Sequence, residues 1–154
     1  MSDELPLLKL VGLTKQYAAF NGPALTVLAG IDFELANGAS AAIVGPSGSG
    51  KSTLLNLIGA LDTPSSGQVF LEGRDLARCS QDDLAEIRNR RIGFVFQAHH
   101  LLPQCTVLEN VLIPTLATSN EVLRDGAPER ARRLLERVGL GRRLHHRPSQ
   151  LSGG

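Results

Sequence analysis

The run Gly45-Pro-Ser-Gly-Ser-Gly-Lys-Ser-Thr53 decides how the rest of this chain is read. Gly45, Gly50, Lys51 and Ser52 fit the G-x-x-x-x-G-K-[ST] spacing of a phosphate-binding loop. In such a loop the short intervening residues, here Pro46, Ser47, Gly48 and Ser49, let successive backbone N–H groups curl around the β- and γ-phosphates of a nucleotide. Lys51 supplies a point charge to the terminal phosphates. The Ser52 hydroxyl is placed to coordinate the Mg²⁺ that bridges them, and Thr53 closes the motif. The flanks agree with this reading. Ser40-Ala-Ala-Ile-Val44 is an apolar run of buried-strand type, and Leu54, Leu55, Leu57, Ile58 and Leu61 recur with helix-like spacing. Strand, glycine loop and helix is the order a phosphate site requires, because the helix N-terminus adds partial positive charge and free N–H groups. A flexible glycine turn would not demand that order.

Size and composition allow one domain with a real core: 154 residues, 42% hydrophobic and 20% charged. The longest apolar stretches run about seven or eight residues, against the roughly 20 that span a bilayer. Met1-Ser-Asp-Glu4 is acidic and lacks the basic and apolar regions of a secretory signal, so the expected residence is cytoplasmic. Cys79 and Cys105 show neither C-x-x-C spacing nor a metal-ligand cluster and read as plain thiols. Net charge is +1, which by itself argues neither for a nucleic-acid partner nor for an anionic surface, and no nucleic-acid partner is expected. Charge is uneven: from Arg124 to Arg147 eight arginines face Asp125, Glu129 and Glu136, read as a solvated helix face.

Around the loop, Leu7 to Tyr17 and Leu28 to Leu35 read as two strands separated by a loop near Asn21-Gly-Pro23, with Asn37-Gly38 turning the chain back. They are expected to form a small antiparallel layer beside the nucleotide core. Gln68 to Glu72 is a further short strand. Ser80-Gln-Asp-Asp83 has capping-box form before a helix that carries Leu84 and Ile87. Ile92 to Phe96 reads as a strand ending on Gln97. Thr106-Val-Leu-Glu109 is a second capping box, and Pro114 should kink or end its helix. Pro128 to Val138 is the clearest helix, with Ala131, Leu134, Leu135 and Val138 on one face, arginines on the other and Gly139 at its stop.

Gln97 at the end of an apolar strand, followed downstream by Leu151-Ser-Gly-Gly154, resembles the nucleotide-binding subunit of ATP-binding cassette (ABC) transporters, and the likeness covers almost the whole chain. The resemblance implies an α/β fold. It predicts a P-loop NTPase (RecA-like) core with an N-terminal antiparallel β layer over residues 1–97 and a helical subdomain over 98–154, with the C-terminal half of the cassette missing. It puts Tyr17 where the family stacks an aromatic ring on adenine, the lesser alternative being an ordinary core or rim tyrosine. It puts Gln97 at the loop whose side chain reaches Mg²⁺ and the attacking water and whose backbone meets the membrane partner. Ser152, Gly153 and Gly154 would cap the γ-phosphate of ATP held by a second, head-to-tail subunit. Arg91 to Gln97, His99-His-Leu-Leu-Pro103, Leu108-Glu-Asn-Val111 and His146 to Gly154 look most like the branch serving lipoprotein release and macrolide-type export. The paired histidines His99, His100, His145 and His146 lack carboxylate partners and are read as surface residues, not metal ligands.

The resemblance therefore implies ATP and Mg²⁺ as ligands, a second nucleotide-binding subunit and a transmembrane permease as partners, and a peripheral position on the inner face of the cell membrane. The family's Asp-Glu that follows an apolar strand, and its switch histidine, lie beyond the signature, and no run of four apolar residues followed by Asp-Glu occurs here. The general base is thus absent from these residues. The 154-residue chain is expected to fold poorly, exposing apolar sheet edges, and to lack turnover. Two alternatives remain: a non-catalytic nucleotide-binding fragment, and a soluble cassette ATPase acting on nucleic acid or ribosomes. The stretch between Gln97 and Ser152 is too short for the long coiled coil of DNA-structure ATPases, and no Asn-Lys-x-Asp guanine motif is present.

Overall fold

The computed structural model describes residues 5–19, 22–97, 100–117 and 124–151. The acidic start at Met1–Glu4, Asn21 of the first loop, His99 and the Ser152-Gly-Gly154 tripeptide lie outside the described residues. The chain gathers into two compact units, Met1–Leu84 and Ala85–Gly154.

The first unit is built on a four-stranded antiparallel sheet in the order β2-β1-β3-β4, where β1 is Leu8–Tyr17, β2 Leu25–Leu35, β3 Ser66–Leu71 and β4 Arg74–Asp75. This is the antiparallel layer expected from the sequence. Leu8 and Leu10 are buried at strand spacing, but Leu13 and Lys15 then continue the buried face, a shift of one residue. The cause is a bulge. The pairing register breaks between Leu10 and Leu13, and Gly12 stands there at φ 54, a left-handed conformation that glycine adopts without Cβ strain. Its N–H donates to Asp32 Oδ1 at 2.7 Å.

After the Asn37-Gly38 turn, with Gly38 at φ 76, the chain passes through the glycine loop into α1, Lys51–Ile58. Leu57 of α1 is 1% exposed and lines a small cavity of about 30 Å³ with Val69, Leu76 and Leu84. Truncating such a leucine to alanine costs roughly 2–5 kcal/mol. Helix α2, Gln81–Arg90, starts on the expected capping box: the Ser80 hydroxyl accepts from the Asp83 N–H at 3.2 Å, and Asp83 Oδ2 accepts from the Ser80 N–H at 3.0 Å.

In the second unit α3, Val107–Leu112, opens on the Thr106/Glu109 capping box and gives way at Pro114 to a 3₁₀ turn over Ile113–Ala117. Helix α4, Ala127–Arg137, stops before Gly139 at φ 77. Val107 and Leu108 pack with Ala131 and Leu135, and Leu112, Leu140, Leu144 and Leu151 close the cluster. The buried stripe of α4 is Ala127, Ala131 and Leu135, whereas Leu134 is half-exposed and Val138 faces solvent. The apolar face thus lies about one position away from where periodicity placed it. The arginines of α4 are exposed, as the solvated-face reading expects.

Two expectations are corrected. Neither Ser40–Val44 nor Ile92–Phe96 is a strand; both run without a ladder partner among the described residues. Val44 is 86% exposed, Val95 is fully exposed, and Ile43 and Phe96 are also open to solvent. The reason is physical. A continuous apolar run of this kind is stable as a strand only when neighbours pair with both of its edges and cover both of its faces.

Candidate functional site

The glycine loop is shaped by its own backbone. The Ser49 N–H bonds back to the Pro46 carbonyl at 3.3 Å, and the first helical bond of α1 runs from the Leu54 N–H to the Gly50 carbonyl at 2.9 Å. The N–H groups of Lys51, Ser52 and Thr53 precede that bond, and no side chain caps them. They form a first-turn set of donors facing outward with the positive end of the helix dipole behind them. Gly50 opens the helix at φ 87, a conformation that a side chain would strain. Lys51 Nζ donates to the carbonyls of Gly45 at 3.0 Å and Pro46 at 2.7 Å, so the ammonium lies inside the loop's curl. The sequence-predicted residues Gly45 through Thr53 are therefore brought together in one turn that leads into α1.

Tyr17 ends β1, 42% exposed, and pairs with Leu25 of β2. Two residues along β2, Val27 and Leu28 touch the Gly50 position: a Cβ there would meet Val27 Cγ1 at 3.1 Å and Leu28 Cδ2 at 2.9 Å. The β2 residue paired with Tyr17 and the β2 residue against Gly50 thus lie two positions apart on that strand, about 7 Å along it.

Tyr17 is also held from behind by residues that the sequence reading did not single out. Its hydroxyl donates to Asp62 Oδ2 at 3.1 Å. Asp62 Oδ1 accepts from Lys15 Nζ at 2.7 Å and from the Thr63 N–H at 2.7 Å. Lys15, 8% exposed, also donates to the Thr63 carbonyl at 2.7 Å, and its ammonium lies 5.0 Å from the Tyr17 ring centroid. Burial pushes the Asp62 carboxyl up, but the bonds from Lys15, Thr63 and Tyr17 together outweigh it and hold the carboxyl below its ordinary value. The signal that could have revealed Lys15 was Gly12, whose bulge turns it inward.

For Mg²⁺ the fit rests on donor chemistry. Ser52 is exposed in the first turn of α1, offering a hard hydroxyl oxygen beside the first-turn N–H groups. Gln97 lies in the second unit, exposed on a bend after the unpaired Ile92–Phe96 segment. Downstream of it, Asn110 clamps the next loop: Oδ1 accepts from the Leu102 N–H at 2.8 Å, and Nδ2 donates to the carbonyls of Leu102, Cys105 and Thr106. Leu151 is anchored in the α3–α4 core, which fixes the entrance to the predicted signature loop. Ser152, Gly153 and Gly154 themselves lie outside the described residues. The second unit also contains an open cavity of about 310 Å³ walled by Val111, Leu112, Pro114 and Leu134 with Arg90 and Arg130. Among the described residues no helix is long and apolar enough to cross a membrane.

Comparison with known proteins adds to this geometry. The sequence profile of the ABC transporter family matches residues 28–154. A lipoprotein-releasing system ATP-binding protein LolD from Pseudomonas fluorescens is 51% identical over 153 residues, covering 99% of this chain and 66% of the relative. LolD from Anaeromyxobacter dehalogenans is 52% identical over 150 residues, covering 97% of this chain and 62% of the relative. An uncharacterised ABC transporter ATP-binding protein of Thermotoga maritima is 53% identical over 127 residues, 82% of this chain and 53% of the relative. The chain thus spans at most about two thirds of the length of the curated relatives it matches. Among solved structures, the dimeric ATP-binding cassette MJ0796 bound to ADP and Pi in a post-hydrolysis state superposes with a TM-score of 0.84 at 37% identity, covering 95% of this chain and 63% of that one.

Proposed function

This chain belongs to the ABC transporter family as part of an ATP-binding domain, and from that premise we propose that it binds ATP and, within the full-length protein, hydrolyses it to power a membrane-spanning partner in lipoprotein release or macrolide-type export. The observation that carries the reading is the outward-facing set of N–H donors at Lys51, Ser52 and Thr53, with the Lys51 ammonium curled into the same loop.

In this reading the loop amides and the Lys51 ammonium hold the β- and γ-phosphates, and Tyr17 stacks on the adenine. Ser52 and Gln97 are the residues that would hold Mg²⁺, which when bound neutralises charge on the phosphate oxygens. Gln97 orients the attacking water. Catalysis is positioning and electrostatics: the donors are fixed before the γ-phosphoryl group leaves, so little reorganisation is required as charge develops. The base that polarises water is assigned to the full-length protein, since the family pattern puts it after the signature loop.

Ser152, Gly153 and Gly154 are proposed to cap the γ-phosphate of ATP on a second subunit in a head-to-tail dimer, a reading supported by the dimeric solved cassette. A permease partner is supported by relatives named as ATP-binding proteins of a lipoprotein-releasing system, and a peripheral position on the inner face of the membrane is proposed with it. The test is ATP turnover by the full-length protein with and without its co-expressed permease in lipid. Turnover that requires Mg²⁺ and changes with the permease supports the proposal. Magnesium-dependent binding with no turnover in either state would leave only the nucleotide-binding reading.

A further inference from the structure

Lys15 is a buried cation on a strand whose other inward residues are leucines. The cation is buried while its partner Asp62 is part-exposed, and apolar side chains of similar volume often serve stability at such a position as well as an ion pair does. What the pair does is visible in its contacts. Asp62 spends Oδ1 on Lys15 and the Thr63 N–H, and turns Oδ2 to the Tyr17 hydroxyl. Lys15 is itself tied to the Thr63 carbonyl, so the carboxylate cannot rotate without breaking bonds to both. The Tyr17 ring is therefore held at its hydroxyl and backed by the Lys15 ammonium 5.0 Å from its centroid, while remaining 42% open to solvent. All of this depends on the Gly12 bulge, which moves Lys15 from the outer face of β1 to the inner one.

We propose that Lys15 and Asp62 are positioning residues that set the exposed Tyr17 ring for stacking against the nucleotide base. The inference rests on the nucleotide reading above and deepens it. A ring already fixed loses less freedom when the base arrives, so its grip on the base is stronger than that of an untethered ring. The pair acts on the base end of the ligand and leaves the phosphate end untouched.

Calorimetric titration of the full-length protein with Mg·ATP and, separately, with Mg·tripolyphosphate tests this, because the second ligand engages the loop without any base. We expect Asp62→Ala to weaken ATP about five- to tenfold, within the range of one lost base–aromatic stack, and to leave tripolyphosphate within about twofold. Tyr17→Phe, which removes only the tethering oxygen from an exposed ring, should weaken ATP about threefold with the same selectivity. In a Tyr17→Ala background Asp62→Ala should have no further effect on ATP. Equal loss of both ligands, an undiminished Asp62→Ala effect in the Tyr17→Ala background, or wild-type ATP affinity in Tyr17→Phe would overturn the inference. Wild-type protein that binds tripolyphosphate but binds ATP no more tightly would overturn it alone. Wild-type protein that binds neither would overturn the nucleotide reading as well.

Discussion

A Cβ at Gly50 would stand 2.9 Å from Cδ2 of Leu28, so the residue that opens α1 is fitted against the strand that pairs with Tyr17. The same residue sits at φ 87, where an L side chain adds roughly 1–2 kcal/mol of strain. Gly50→Ala is therefore expected to push the loop away from β2 and to lower ATP affinity more than tenfold while far-UV circular dichroism stays near that of the wild type. Wild-type affinity in this variant would show that the loop tolerates the displacement.

Gln97 is exposed, so its truncation is not expected to disturb the fold. Gln97→Ala in the full-length protein is expected to bind Mg·ATP within about threefold of the wild type but to turn it over at least about tenfold more slowly, the pattern of a lost water-positioning group. Parallel binding and turnover measurements check this split.

Ser40–Val44 and Ile92–Phe96 combine strand-like composition with solvent-exposed apolar side chains. In the full-length protein their amide hydrogens are expected to exchange slowly, because flanking strands would pair with them. In the isolated 154-residue chain the same amides should exchange within the dead time of the experiment. Mass-spectrometric exchange on the two forms reads this out peptide by peptide.

Acid sensitivity follows from the cap of α2. The Ser80 hydroxyl, then the Arg74 guanidinium and the Ser80 N–H, hold the Asp83 carboxyl down to about 2. Its folded value lies below the unfolded one of about 3.9, so its contribution is complete above that pH and is lost as pH falls through about 2. The gap in melting temperature between the wild type and Asp83→Asn should be constant from neutral pH down to about 4 and close below it. Thermal unfolding across that range checks the sign.

Features written in adjacent residues were legible in the sequence. Both capping boxes are three-residue matters, Ser80 with Asp83 and Thr106 with Glu109, and both stand as expected. The glycine loop and its helix followed from spacing alone. What escaped the sequence depends on chain segments far apart. Lys15 and Asp62 meet across 47 positions, and the meeting requires a bulge at Gly12 that a strict strand period conceals. Asn110 looked like one residue of a motif, yet its amide holds the backbone of Leu102, Cys105 and Thr106. For Ile43, Val44 and Val95, composition announced strands, but a ladder needs a partner and none of the described residues supplies one.

On the proposed reading, the main-chain amides around Lys51 and its ammonium grip a triphosphate. Equilibrium titration of the full-length protein and its Lys51→Ala variant with Mg·ATP measures that grip. Saturable binding by the wild type, weakened at least about tenfold in Lys51→Ala, is the expected result. No binding by the wild type, or equal binding by both, would contradict it.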